Sequence, residues 1–434
     1  MLDNNTAVKI LQGNTISPFG GINFVFELLD SLGFEKLISE NLPALPAQSQ
    51  YSWKDIFYSF LSIYLCGGDC IEDIDTNLKH GIGRNPFFKM PSPDTVLRRF
   101  SSLTTENQFC RTKRGTVDHA FNTNDVLEKL NIAVLKMLGA FDSEELILDY
   151  DNTIIFNEKQ DSKMTYKRNP GYQPGVCTVN EHFLLGVENR NGNSDAKSFQ
   201  KDTLVRMFNT LKKALIKKAN HFRADAASYQ YDVIKLLQLE VENFYIGCKN
   251  SYVEKYFTQI TKWEKLDDLM EVGEIRIIPF QQQAKEKNET AQSFRMIVKR
   301  SPRKDGQYDI ITQDKNQYRA ILTNNDEWSA KEIAQFYNHR GNMEKQFDIM
   351  KNDFGWNQMP FSKLEQNTVF LYFTAICRNL YHHIIQVFSK KAQALKPTDR
   401  LKKFIFRFIL LPAKWIKQGR QFKLKLFGRI NFRT

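Results

Sequence analysis

The stretch from residue 142 to about 248 constrains the fold more than any other part of the chain. Residues 145–156 (ELILDYDNTIIF) are rich in β-formers and read as one strand, and 175–180 and 182–188 read as two more. Asn191-Gly192-Asn193 is a turn signal. A helix follows over 198–219, a short strand over 221–225, a helix over 229–239 and a strand over 243–248. Three neighbouring strands followed by helix, strand, helix and strand call for an α/β fold: a mixed sheet with helices on its faces.

The flanks differ in character. Residues 24–32, 53–65 and 126–141 repeat apolar side chains at the helical period. Ser92 and Pro93 open a further short helix, as N-cap and first position, and it carries Arg98 and Arg99. Such a helix either enters a DNA groove or is an ordinary surface helix. Residues 274–280, 293–299, 308–312 and 318–323 read as strands of a β-rich insertion. One long helix is expected over 329–353, opened by the capping-box pair Ser329 and Glu332, and a second over 367–391. The chain thus divides into a helical N-terminal domain (1–140), a core (141–248 with 328–392), a β-rich insertion (249–327) and a basic, helical C-terminal tail (393–434).

Composition narrows the functional classes. No run of ~18 uncharged apolar residues exists, so no membrane span is expected. The N-terminus lacks the basic-then-apolar pattern of a secretion signal, which points to a cytoplasmic protein. The six cysteines are scattered; Cys66 and Cys70 lack the further ligands a zinc site needs and read as buried thiols. The net charge is +12, and residues 390–434 hold fourteen bases against one acid, +13, leaving −1 for the rest. A basic extension on a near-neutral body suits a polyanion such as DNA, against the alternatives of a solubilising tail or a membrane-surface helix.

Four acids at three places stand out. Asp149 and Asp151 are two apart on a strand and share a face with Ile147, Thr153 and Ile155. A carboxylate there is costly unless paired or bound to metal. Asp225 ends a strand before a helix, where it either faces a ligand crevice or caps the helix. On a helical wheel with Tyr337 at zero, Arg340, Glu344 and Lys351 fall at about 300°, 340° and 320°, beside the apolar stripe of Phe336, Met343, Phe347 and Met350. That stripe is either a salt-bridged surface or the rim of a cleft.

The spacing Tyr337, Arg340, Glu344, Lys351 resembles the Tyr-Arg-Glu-Lys signature of bacterial insertion-sequence transposases. Asp151-Asn152-Thr153 and Arg223-Ala224-Asp225 resemble their two aspartate motifs. The Pro-Ser-Pro-Asp-Thr helix start and basic C-terminus resemble the insertion-sequence group thirteen-eighty. The resemblance implies an RNase H-like core and catalytic, metal-binding roles for Asp151, Asp225 and Glu344, with Asp149 as the rival first acid. It implies Mg²⁺, with Mn²⁺ as substitute, and phosphate contacts from Arg340 and Lys351. Tyr337 would bond a phosphate or stack on a base. The implied partners are double-stranded DNA at element ends and target, and a second copy of the chain, with no membrane and no small-molecule substrate. Trp263 could stack on a flipped base, set against a core or surface role. The rival functions are a DNA-binding protein without catalysis, a plain nuclease of the same fold, and a membrane-associated basic protein.

Overall fold

A computed structural model describes residues 16–111, 117–216, 218–303 and 315–428. By contacts the chain forms two compact units, one of residues 100–382 and one of residues 1–99 with 383–434.

The unit 100–382 is built on one large sheet. Its strands, in chain order, are β1 Gln108–Arg111, β2 Asp118–Asn122, β3 Ile147–Asn152, β4 Gly175–Val179, β5 Phe183–Arg190, β6 Ala219–Ala224, β7 Val241–Cys248, β8 Glu271–Ile277, β9 Phe294–Pro302 and β10 Asn316–Thr323. Side by side they run β1-β2-β5-β4-β3-β6-β7-β10-β9-β8, with the short strand Glu264–Lys265 at the last edge. β3 pairs antiparallel with β4 and parallel with β6, and β6 is parallel to β7. The five central strands, β5-β4-β3-β6-β7, form the RNase H-like core. Of the expected insertion strands, 308–312 lies outside the described residues; the others, β8 to β10, continue this same sheet from the β7 edge.

β6 is buried on both faces, one carrying Phe222 and Ala224 and the other the polar His221 and Arg223. Leu148, Phe222, Phe244 and Ile246 lie under helices α2 (Gln200–Lys213) and α3 (Tyr231–Glu240), with Leu204, Phe208, Ile234 and Leu237. Helix α1 (Asp125–Met137) packs on β5, where the buried Asn131 amide donates to the carbonyls of Leu184 and Leu185. On the opposite face Tyr245, Ile297 and Ile321 meet Ile333 and Ala334 of α4 (Ala330–Asn338). Asp149, Asp151 and Arg223 project toward that second face, being out of phase with Leu148 and Phe222. Helices α5 (Asn342–Asp353) and α6 (Leu364–Lys391) follow.

Four expectations are corrected. The strand expected over 145–156 ends at Asn152; Ile155–Phe156 pairs instead with Pro170–Tyr172 in a separate small sheet, after Thr153 donates to the Pro174 carbonyl. The helix expected over 329–353 is interrupted by a 3-10 turn, His339–Gly341, at the poor helix former Gly341. The N-terminal region is not purely helical to 140: β1 and β2 join the large sheet through β5, and the contact boundary falls at 99. The C-terminal tail is not a helix either. After a short helix Leu401–Phe404 it forms strands β11 (Ala413–Gln418) and β12 (Gln421–Leu426), joined through Gly419, whose φ of +63° suits the tight reversal. Trp415, Phe422, Leu424 and Leu426 alternate with Lys414, Lys423 and Lys425, a period of two that only a strand sorts onto separate faces.

All six cysteines are free; Cys66, Cys177, Cys248 and Cys377 are buried. No helix among the described residues is long and apolar enough to cross a membrane.

Candidate active site

The site is assembled where β3, the end of β6 and the α4–α5 break meet. Asp149 lies opposite Arg223 in the β3–β6 register. The guanidinium bonds both its oxygens, Nε to Oδ1 and Nη2 to Oδ2, each at 2.7 Å, with the two side chains 1% exposed or less. Arg223 also donates to the Phe336 carbonyl at 2.8 Å, lies 4.6 Å from the Phe336 ring centroid, and reaches Glu181 Oε1 at 2.8 Å. Both oxygens of Asp149, the rival first acid, are therefore committed to an internal ion pair.

Asp151, two residues on, is free of that pair and lies nearer the rim. Its Oδ1 accepts from the Asn152 amide at 2.8 Å and its Oδ2 from Arg340 Nη1 at 3.0 Å. Burial and then the negative charge of Asp225 push its carboxyl up to about 7, against the opposing charge of Arg340. Asp225 N-caps a 3-10 turn, Ala226–Ser228, accepting from the Ala227 amide at 3.0 Å, as the capping alternative held. Capping uses one of its oxygens and leaves it close enough to Asp151 to perturb it.

Arg340 links the acids. Its Nη2 stands 3.5 Å from Glu344 Oε1 while Nη1 holds Asp151, and Asp225 is among the charges that act on it. The side chain of Glu344 is 73% exposed. Asp151 and Glu344 thus meet one guanidinium, and Asp225 lies near enough for its charge to act on it. The three acids have not closed into a tight ligand cluster: among the described residues, the His, Cys, Asp or Glu group with all ligand atoms within 4.8 Å is Asp69, Cys70 and Asp73. The donor chemistry nevertheless fits a hard divalent cation, since all three acids offer oxygen and the excess negative charge is already taxing Asp151.

Each residue of the 3-10 turn His339–Gly341 advances about 120° instead of 100°, which leaves Tyr337 within roughly 40° of Arg340, Glu344 and Lys351 on the wheel. The Tyr337 hydroxyl donates to the Ala224 carbonyl at 3.0 Å, beneath the strand end that carries Asp225. Gly247 makes room for it, because a Cβ there would come within 2.5 Å of the Tyr337 oxygen. The bond to Ala224 supports the backbone before Asp225. Lys351 Nζ donates to the Ile154 carbonyl at 2.7 Å, tying α5 to the loop after Asp151. Burial and then the nearby Lys167 hold its ammonium pKa below the usual range.

Glu181 was not singled out from sequence. It occupies the tight turn between β4 and β5, where Asn180 and Glu181 both adopt left-handed backbone, φ 49° and 67°. Its carboxylate receives Arg223 and, at 2.6 Å, the Asn342 amide, and Gln346 donates to its carbonyl at 2.9 Å. It anchors the start of α5, and with it Glu344. Asn between two strands is a legible turn signal; the bonds across 161 residues to Asn342 are not.

Arg98 is exposed on the helix Pro93–Ser101, whereas Arg99 folds back to bond Ser49 Oγ at 2.8 Å. Trp263 is covered on one ring face by Arg300 at 4.0 Å and donates to the Ile260 carbonyl.

The chain matches the family described as Transposase DDE domain group 1 over residues 2–432. No curated protein matches it. Among solved structures it is similar to a piggyBac transposase synaptic complex with hairpin DNA, at 10% identity and a TM-score of 0.42, over 91% of this chain and 80% of that one.

Proposed function

The chain belongs to the Transposase DDE domain group 1 family, and on that premise we propose that it binds the inverted-repeat ends of a bacterial insertion sequence, of the group thirteen-eighty kind, cleaves them and joins their 3′-OH ends to target DNA. The observation that carries this reading is the gathering of Asp151, Asp225 and Glu344 around Arg340.

In this reading Asp151, Asp225 and Glu344 would hold two Mg²⁺ ions, with Asp149 left to Arg223. Those ions would supply activation of the attacking oxygen and stabilisation of the leaving one. Asp225 is presented by the end of β6, which the Tyr337 hydroxyl steadies. Arg340, bonded to Asp151, has the planar fork that suits a DNA phosphate. Lys351 contributes charge beside the loop after Asp151, and its two remaining N–H donors face phosphate. Arg98 joins in binding the DNA ends. Two ends must be brought together, which calls for a dimer of this chain.

The test is cleavage of end-bearing duplex with Mg²⁺, followed by a strand-transfer assay on pre-cut ends. Wild type should cut and join, and Asp225→Ala should fall to background in both. An Asp225→Ala protein that cuts as well as wild type removes the proposed site. Cutting without any joined product makes the chain a nuclease instead.

A further inference from the structure

The basic C-terminal segment folds into a two-stranded ribbon whose faces differ in kind. Cross-strand partners Ala413 and Leu426, Trp415 and Leu424, and Lys417 and Phe422 alternate with Lys414 and Lys425, Ile416 and Lys423, and Gln418 and Gln421. Alternate pairs fall on opposite faces. The start of β11 is tied into its own unit: Ser17 and Ala413 exchange backbone hydrogen bonds at 2.7 and 2.8 Å, while on the first face Phe422 stays 47% exposed. The Phe87 ring meets those of Trp415 and Phe422 edge-on, at centroid separations of 5.5 and 6.3 Å.

The second face carries Lys414, Lys423 and Lys425, the last two exposed, with Arg420 exposed at the turn. No acid follows Asp399 in the sequence, and Asp399 itself is bonded by Arg407 at 3.0 Å. Among the described residues, none of Lys414, Arg420, Lys423 and Lys425 forms an ion pair with a carboxylate. Lys414 and Lys425 stand directly opposite each other, a like-charge pairing that weakens a ribbon. Among the described residues no carboxylate offsets that repulsion.

We propose that β11–β12 is a duplex-DNA-binding ribbon, with Lys414, Lys423, Lys425 and Arg420 engaging backbone phosphates. The choice of DNA as the polyanion rests on the function proposed above. The dimensions agree, since six residues extend about 20 Å and a two-stranded ribbon fits a major groove about 12 Å wide. A membrane-surface element needs an apolar outer face, whereas this one presents lysines and glutamines with Ile416 alone among them.

The experiment compares the full-length protein with the triple variant Lys414→Gln, Lys423→Gln, Lys425→Gln on a duplex of arbitrary sequence, by fluorescence anisotropy across a salt series. The variant should bind about tenfold more weakly or worse. Its slope of log affinity against log salt should shrink by about 2.7, three phosphate contacts at about 0.9 each. The corresponding triple Lys→Arg variant should keep the wild-type slope and melting temperature, and the Gln variant, relieved of the Lys414–Lys425 repulsion, should melt no lower than wild type. Wild type that fails to bind any duplex overturns the function proposed above. Wild type that binds while the Gln variant keeps its slope overturns the ribbon alone. Loss of binding to phosphatidylserine vesicles, with duplex binding intact, overturns it in favour of a membrane surface.

Discussion

Asp149 and Arg223 face each other on adjacent parallel strands, and one guanidinium holds both carboxylate oxygens at 2.7 Å in a place closed to solvent. Asp151, on the same face of the same strand, meets Arg340 at the rim instead. Two acids at spacing two therefore do different work, one internal to the fold and one turned toward the site.

Their substitutions should separate stability from activity. Asp149→Asn strands a buried guanidinium and should cost ~3–5 kcal/mol, toward the lower end because Glu181 remains as a partner. Asp151→Asn relieves repulsion with Asp225 and should melt at or above the wild-type temperature while losing DNA cleavage. Urea titration and a cleavage assay on both variants check this. A stable, inactive Asp149→Asn beside an active Asp151→Asn would reverse the assignment.

Tyr337 and Gly247 should be energetically coupled. Gly247→Ala drives a methyl to within 2.5 Å of the Tyr337 oxygen and should cost ~1–3 kcal/mol by overpacking. Tyr337→Phe removes that oxygen together with its bond to Ala224 and should cost about 1 kcal/mol. Added to Tyr337→Phe, Gly247→Ala should then cost less than alone, its approach to the Ala226 nitrogen at 3.2 Å remaining, giving a coupling of about 1 kcal/mol in a double-mutant cycle. Strict additivity would mean the two side chains do not compete for one space.

Lys299 gives the folded protein an alkaline stability gain. Burial, and then the charge of Arg319, lower its ammonium from 10.5 to about 8. It is 8% exposed and donates to Asn338 Oδ1 on α4. Between pH 8 and 10.5 the unfolded chain binds more protons than the folded one, so this group's contribution rises with pH across that window. Below it the cost of burying the charge is fully present. The rise is on the order of 3 kcal/mol for a shift of this size. Lys299→Met should flatten the profile between those limits; denaturant midpoints across the pH series measure it. An unchanged slope in the variant would place the titration elsewhere.

Much of the core was legible because its signals are local. The capping box forms as expected, with Ser329 accepting from the Glu332 amide and the Glu332 carboxylate accepting from Ser329. The order of strands and helices through residues 147–248 follows from side-chain period alone. The ribbon at 413–426 also shows its period of two, but the preceding run of Phe404, Ile405, Phe406, Phe408 and Ile409 favoured a helical reading of the whole tail. The break at 339–341 was harder to see, since a single Gly341 is tolerated within a helix and only the bond from Tyr337 to Ala224 shows which way the preceding turn faces.

What the residue order determined by itself is which elements form and which acids lie on sheet or helix, because period, capping and turn chemistry act over a few residues. What only the tertiary structure decided is the partner of each charge. Asp149 and Arg223 are 74 residues apart, and Glu181 and Asn342 are 161 apart. Their meeting depends on strand register and helix packing, which the burial of the whole core sets, and no local pattern encodes it.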